Sequence, residues 1–266
     1  MEEQVRGLFF TGNFAKAASM AKSPTPDILI WQMRAALESK QAPVQSIPAV
    51  ASFPAANFQA LCDFLRGRAT TAEVTADSLG FAEVVKAYEL AVAEKWSQVV
   101  ETLPPSTVER QALVVLALLK MNRPDIAEQL VKKAAAASDE EAVLQLAQVW
   151  LALCKTEPDE AGSILSELES KFGASALLLT AKGVAMMQEG NYAEAEQVLT
   201  QAVAKGLSDL SQSKSVACAV ANLVTCKRLL GEGVEETEAQ LGALWPDHPY
   251  FALKTTAAVM FDKALE

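Results

Sequence analysis

The sequence predicts an all-α fold built from repeated helical hairpins, and three observations lead to this prediction. The segments MNRPDIAEQLVKKAAAAS, TEPDEAGSILSELESKFG and EGNYAEAEQVLTQAVAKG align without gaps and place Ala127, Ala161 and Ala195 at intervals of 34 residues. Each alanine is followed four residues later by a larger aliphatic residue, as on one face of a helix. Hydrophobic residues make up 51% of the chain but aromatic residues only 6%, which favours close packing of helices. Because 34 residues is the tetratricopeptide period, we expect a tetratricopeptide-like α-solenoid, a right-handed superhelix that is either open or tightly curled.

The repeat is weaker in the first part of the chain. The segment FFTGNFAKAASMA places Phe14 in the position of the turn aromatic residue, and AVAEKWSQVVETL places Trp96 there. Between residues 40 and 56, three prolines interrupt the pattern and predict short helical pieces.

Local sequence chemistry predicts where the second helices of the clear repeats begin. Asn122, Thr156 and Asn191 each stand three residues before an acidic residue, the spacing of a capping box, in which a side chain at the helix start binds a free backbone N–H. Pro124 and Pro158 follow at positions where a first helical turn tolerates a missing N–H. These residues therefore predict helix starts at a constant interval.

After residue 206, about seven residues are inserted before the next helical pattern. Two closing helices are expected beyond it, over residues 217–230 and 249–265. We predict a single α-solenoid domain over residues 1–266, with the clearest repeats in 107–206 and degenerate repeats in 1–106 and 207–266.

The first helices of the clear repeats are apolar almost all the way round, as in QALVVLALLKM, EAVLQLAQVWLALC and ALLLTAKGVAMM. First helices line the concave side of such an array, so an apolar inner wall that binds a partner is predicted. Either a partner segment covers this wall, or the superhelix curls so tightly that it fills its own middle. The predicted partner-binding residues are Ala112, Leu116, Leu119, Val143, Leu146, Trp150, Leu153, Leu177, Thr180, Val184 and Met187.

Charge and patterning exclude several classes of protein. The net charge of −10 has the wrong sign for a protein that binds a phosphate backbone, so we expect no nucleic-acid partner. No apolar run reaches the roughly 20 residues of a membrane span, and the first ten residues lack the pattern of a signal peptide. The four cysteines are far apart and form no CxxC pair. A cytoplasmic protein without direct membrane insertion is predicted.

No group of residues in the sequence points to catalysis. The one histidine, His248, lies between Asp247 and Pro249 and has no nucleophile near it in the sequence, so we interpret it as a surface turn residue. One histidine without paired cysteines also gives a zinc ion too few ligands. We therefore expect no enzyme activity, no metal, no cofactor and no small-molecule substrate.

The block LLKMNRPDIAEQLVKKAAAASDEEAVLQLAQVWLAL, followed by LLLTAKGVAMMQEGNYAEAEQVLTQAVAKG, resembles the epsilon subunit family of coatomer, the COPI vesicle coat. The similarity is clearest over residues 111–206. The resemblance implies a non-catalytic structural subunit that binds the C-terminal domain of the coatomer alpha subunit by curling around a protruding hairpin. It also implies a cytoplasmic protein held on Golgi and vesicle membranes through the coat, in transport between the endoplasmic reticulum and the Golgi.

A second hypothesis is a generic tetratricopeptide adaptor or co-chaperone that binds a peptide of another protein. An adaptor that recognises an acidic chain terminus would need lysine, arginine and asparagine side chains at the inward positions. Those positions hold mainly aliphatic residues here. A partner with a largely apolar surface is therefore favoured.

Overall fold

The computed structural model describes residues 1–20, 31–32, 35, 81–105, 107–138, 141–208 and 213–265. Every regular element in this part of the chain is an α-helix, and the helices form hairpin repeats, so the predicted all-α helical-repeat fold is confirmed. The proline-rich segment over residues 40–56 lies outside the described residues. In chain order, the helices are α1 (Glu2–Phe10), α2 (Phe14–Ser19), α3 (Phe81–Val92), α4 (Trp96–Thr102), α5 (Val108–Lys120), α6 (Pro124–Ser138), α7 (Ala142–Lys155), α8 (Pro158–Phe172), α9 (Ala176–Gln188), α10 (Tyr192–Ser208), α11 (Ser213–Leu230), α12 (Glu235–Leu244) and α13 (Pro249–Leu265).

The predicted repeat period appears directly in the helix starts. The second helices α6, α8 and α10 begin at Pro124, Pro158 and Tyr192, each one period after the one before, and the first helices α5, α7 and α9 repeat at the same interval. Each first helix packs against the second helix that follows it. The alanines used to align the repeats, among them Ala127 and Ala161, are fully buried where the helices approach closely.

The turn inside each hairpin passes through the left-handed backbone region at one equivalent residue. Asn122 has φ 57°, Thr156 has φ 59° and Gly190 has φ 82°. The prediction that Asn122 and Thr156 cap the second helices is therefore wrong, because both residues belong to the preceding turn. The residue that caps α8 is Glu157, whose side chain makes no capping hydrogen bond. Asn191 does directly precede α10, but its side chain donates to Glu189 Oε2 over 2.9 Å.

We expect the Thr156→Gly substitution to stabilise the protein by about 1 kcal/mol, because a β-branched residue at positive φ is strained and glycine is not. The gain is limited by the greater freedom that glycine gives the unfolded chain. Urea denaturation followed by circular dichroism measures the change. Thr156→Ala is the control, since alanine keeps the strain of a Cβ atom. Equal midpoints for the two variants would contradict this explanation.

The described residues form two compact units, Met1–Gly173 and Ala174–Glu266. The core of the first is centred on α5 and α7, with Val115 and Ala147 completely buried. The core of the second is formed by α9, α10 and α11, with Leu199 and Val220 completely buried. The prediction of one domain over the whole chain stays a prediction.

The C-terminal part of the chain differs in detail from the sequence prediction. α10 continues to Ser208 and α11 begins at Ser213, so helix occupies part of the predicted insertion. The two closing helices are present, and α12 lies between them.

α13 is held to α11 and α12 through the Glu238 carboxylate on α12. Glu238 accepts hydrogen bonds from Arg228 Nη2 at 2.6 Å, from Lys254 Nζ at 2.7 Å and from the Tyr250 hydroxyl. These donors, Lys254 first, lower the pKa of Glu238 to about 2. The carboxylate therefore stays charged at neutral pH and holds the first turns of α13 in place.

Candidate partner-binding surface

The eleven predicted residues divide into two groups by their exposure. Ala112, Val143 and Leu146 are buried, with exposed fractions of 2%, 4% and 2%. These three side chains are therefore already covered by the chain itself. The other eight are partly exposed: Leu116, Leu119, Trp150, Leu153, Leu177, Thr180, Val184 and Met187.

The burial of Val143 and Leu146 follows from the neighbours of α7. This helix packs against α1, α5, α6 and α8, and all residues from 142 to 147 are buried. α1 approaches at the start of α7, where Arg6 forms an ion pair with Glu141. Consequently, the first two turns of α7 have no open face, and only the later turns can contact a partner.

In the first unit, four of the predicted side chains are partly exposed, and they lie on α5 and α7. Leu116 and Leu119 lie on α5, and Trp150 and Leu153 lie three residues apart on α7. Leu119 and Trp150 also pack against the core of this unit, so one side of each is covered and the other is open. We call these four residues the first apolar strip.

In the second unit, α9 presents one continuous open face. Leu177, Thr180 and Val184 lie three and four residues apart and are all partly exposed. Ala181 is not among the predicted residues, but it lies on the same face four residues after Leu177, a spacing that could have identified it. The hydroxyl of Thr180 already has a hydrogen-bond partner in its own helix, because it donates to the Ala176 carbonyl over 2.6 Å.

We call Leu177, Thr180, Ala181 and Val184 the second apolar strip. Met187 packs against the core of this unit and lies at one edge of the strip.

Both strips contain almost no charge. Lys155 is the one ionisable lysine, arginine or acidic side chain on α7, and Lys182 is the one on α9. The charged residues of α5 lie at its two ends, Glu109 and Arg110 in the first turn and Lys120 at the last residue.

Lys155 forms ion pairs with Glu157 at 3.0 Å and with Glu128 at 3.6 Å, so its charge is neutralised at the end of its helix. A surface of this kind gains free energy by covering another apolar surface, at about 25 cal/mol per Å². The two strips offer few hydrogen-bond donors to a carboxylate of a bound peptide.

A further exposed apolar region lies on α13, where residues 252–264 are all exposed. Leu253 and Met260 are each 68% exposed and Phe261 is 66% exposed. The sequence pattern predicts α13 only as a closing helix. Its apolar face could have been found from the spacing of Leu253, Ala257 and Met260, four and three residues apart.

His248 has a structural role at the start of α13. Its Nδ1 accepts a hydrogen bond from the Tyr250 backbone N–H at 3.2 Å, and the Trp245 ring lies edge-on to it at 5.0 Å. Burial lowers the pKa of His248, which favours the neutral form that can accept this bond. Within the described ranges, no group of three metal-binding side chains comes together. In the same part of the chain, no helix is long and apolar enough to cross a bilayer.

Comparison with known proteins assigns a family to this arrangement of repeats. The model of the family described as "Coatomer epsilon subunit" matches residues 4–266, which cover all of the second compact unit and all but the first three residues of the first. The chain belongs to the coatomer epsilon subunit family. The resemblance seen in the central repeats therefore extends to the degenerate repeats at both ends.

Individual members of the epsilon subunit family align with part of this chain. Coatomer subunit epsilon-2 of Oryza sativa subsp. indica is 30% identical over 162 residues, which cover 60% of this chain and 52% of that protein. Coatomer subunit epsilon-1 of Arabidopsis thaliana is 30% identical over 162 residues, covering 60% of this chain and 53% of that protein. The chain thus spans about half the length of the curated relatives it matches.

Proposed function

We propose that this protein is a non-catalytic structural subunit of the COPI coat, which binds and stabilises the C-terminal domain of the coatomer alpha subunit. The observation that carries the proposal is the pair of uncharged apolar strips on a chain of the epsilon family. In this role, the protein is cytoplasmic and reaches Golgi and vesicle membranes through the rest of the coat.

The exposure pattern supports a permanent partner more than a free monomer. Isolated proteins rarely leave contiguous apolar patches larger than a few hundred Å² open to water. Here the two strips and the apolar residues of α13 are open in the isolated chain. A stable, obligate interface of about 2,000 Å² or more would cover such surfaces.

The alternative of a peptide adaptor or co-chaperone has less support. An adaptor for an acidic chain end would place cations along the first helices, where a carboxylate can form charge-assisted hydrogen bonds. Arg110 is the one arginine on the three clear first helices, and it is buried and paired with Glu83 on α3. The lysines of these helices are Lys120 and Lys155, at the last residues of α5 and α7, and Lys182, which is not part of the second apolar strip. The two strips themselves therefore present hydrocarbon rather than cations to a partner.

The proposal is tested by mixing the purified protein with the purified C-terminal domain of the alpha subunit from the same organism. We expect one complex in size-exclusion chromatography and a calorimetric dissociation constant below about 1 μM, equivalent to about 8 kcal/mol of binding free energy. Binding should show a large negative heat-capacity change, the mark of buried apolar surface. A peptide with an acidic terminus serves as the adaptor control. Binding of the peptide but not of the domain would overturn the proposal.

A further inference from the structure

α11 ends in the same backbone geometry as α9, although the interval between them is longer than the repeat period. Gly190 after α9 has φ 82°, and Gly231 after α11 has φ 78°. The N–H of each glycine donates to the carbonyl three residues earlier, that of Met187 or that of Arg228. The two glycines lie 41 residues apart, and the excess over 34 residues matches the insertion predicted after residue 206. α11 is therefore the first helix of a further repeat, displaced by the insertion.

This alignment gives α11 an open face equivalent to the second apolar strip. Cys218 and Thr225 are exposed, and Ala221 and Asn222 are partly exposed. Each of these four residues lies 41 residues after one member of the second apolar strip. The residues on the other side are buried in both helices, at 178, 179 and 183 in α9 and at 219, 220 and 224 in α11. We call Cys218, Ala221, Asn222 and Thr225 the α11 strip.

α9 and α11 lie side by side on α10 within the second unit. Each of them packs against α10, and they also contact each other. Gly206, near the end of α10, is close to the start of both helices, because a Cβ atom there would overlap the Val216 side chain and lie 3.2 Å from the Ala176 Cβ. The two helices therefore run in the same direction. Since α10 covers their buried sides, the second apolar strip and the α11 strip form neighbouring rows on the opposite side.

The α11 strip is more polar than the strip on α9. Asn222 Nδ2 donates to the Cys218 carbonyl over 3.0 Å, and the Thr225 hydroxyl donates to the Ala221 carbonyl over 3.1 Å. The helix thus uses a donor of each side chain, whereas the Asn222 amide oxygen accepts no hydrogen bond from the described residues. An amide oxygen has two lone pairs that can accept hydrogen bonds. This face therefore suits a partner that offers a donor.

We infer that the α11 strip belongs to the same partner surface as the second apolar strip, and that Asn222 accepts a hydrogen bond from the C-terminal domain of the alpha subunit. The inference rests on the proposed function and adds residues to its site. Packed helices lie only about 8–10 Å apart, so a domain seated on α9 reaches the next row. A stable interface also needs roughly 20 to 30 residues on each side. The first and second apolar strips together hold eight.

The Ala221→Gln variant tests whether the domain covers the α11 strip. The longer side chain would stand where the domain packs closely, so we expect calorimetric titration to show at least thirtyfold weaker binding. Ala204→Gln is the matched control, because Ala204 is exposed on the second helix α10, and its affinity should stay within threefold of wild type. Binding by Ala221→Gln within threefold of wild type would overturn the inference and leave the proposed function standing.

Two substitutions of Asn222 test the chemistry of the contact. Asn222→Leu removes the acceptor and adds hydrocarbon, and it should weaken binding at least fivefold. Asn222→Asp keeps an oxygen acceptor at the same place and should bind within threefold of wild type. Equal or tighter binding of Asn222→Leu would show that the domain presents hydrocarbon at this point, and it would overturn the assignment of a donor.

Cys218 gives a second readout that needs no change in the strip. Its alkylation by iodoacetamide, followed by peptide mass spectrometry, should be at least tenfold slower in the complex than in the free protein. In the control variant Ala204→Cys, the thiol at residue 204 should react at the same rate in both states. Equal alkylation of Cys218 in the two states would overturn the inference. Absence of any binding by the wild-type protein would instead refute the proposed function, and the inference with it.

Discussion

Replacing Val184 by aspartate is expected to weaken binding of the alpha subunit, through its C-terminal domain, by at least a hundredfold, or about 2.7 kcal/mol. Val184 is the last residue of the second apolar strip and is partly exposed in the isolated chain. An aspartate there is hydrated when the protein is free, but it is buried without a partner in the complex. Isothermal titration calorimetry measures the loss. The unfolding free energy should fall by only about 1 kcal/mol, because the side chain is open to water before binding.

The matched control for this variant is Gln201→Asp on α10. Gln201 is exposed on a second helix, and the substitution adds the same negative charge. Glu196 on the same helix is a poorer control, because it pairs with Lys227 at 3.4 Å. We expect Gln201→Asp to leave the dissociation constant within threefold of the wild-type value. Equal losses in the two variants would contradict binding through the first-helix strips.

Replacing Leu146 by aspartate is expected to unfold the first unit rather than only to block binding. Leu146 is 2% exposed and lies in a stretch of α7 that has no open face. Burial of an unpaired carboxylate together with loss of the leucine packing costs more than about 4 kcal/mol. This is a large part of the roughly 5–15 kcal/mol that stabilises a typical protein. Loss of helical circular dichroism and of cooperative urea unfolding in residues 1–173 would show the effect.

Leu153→Asp on the same helix is the control for Leu146→Asp. Leu153 is partly exposed and lies two turns further along α7. We expect this variant to keep a cooperative unfolding transition and to lose partner binding. A Leu146→Asp protein that unfolds with the wild-type midpoint would show that this position is open to solvent after all.

Much of the fold could be predicted from the sequence because residues close together in the chain determine where each helix of the repeat begins and how closely the helices pack. Pro124 and Pro158 begin α6 and α8, because the first turn of a helix needs no backbone N–H from them, and the alanines at the same place in each repeat allow two helices to approach closely. The turn geometry could not be predicted in the same way. Thr156 has a side chain typical of a helix cap, but its left-handed backbone is imposed by the hairpin it connects.

The apolar character of the first helices was determined by the sequence itself, whereas the tertiary structure decided which apolar residues remain open. Leu146 and Thr180 occupy the same position in successive repeats, yet Leu146 is buried and Thr180 is partly exposed. α7 packs against α1, which comes from a distant repeat, in addition to α5, α6 and α8. A periodic pattern describes contacts between adjacent units, and it carries no information on a contact made across 135 residues.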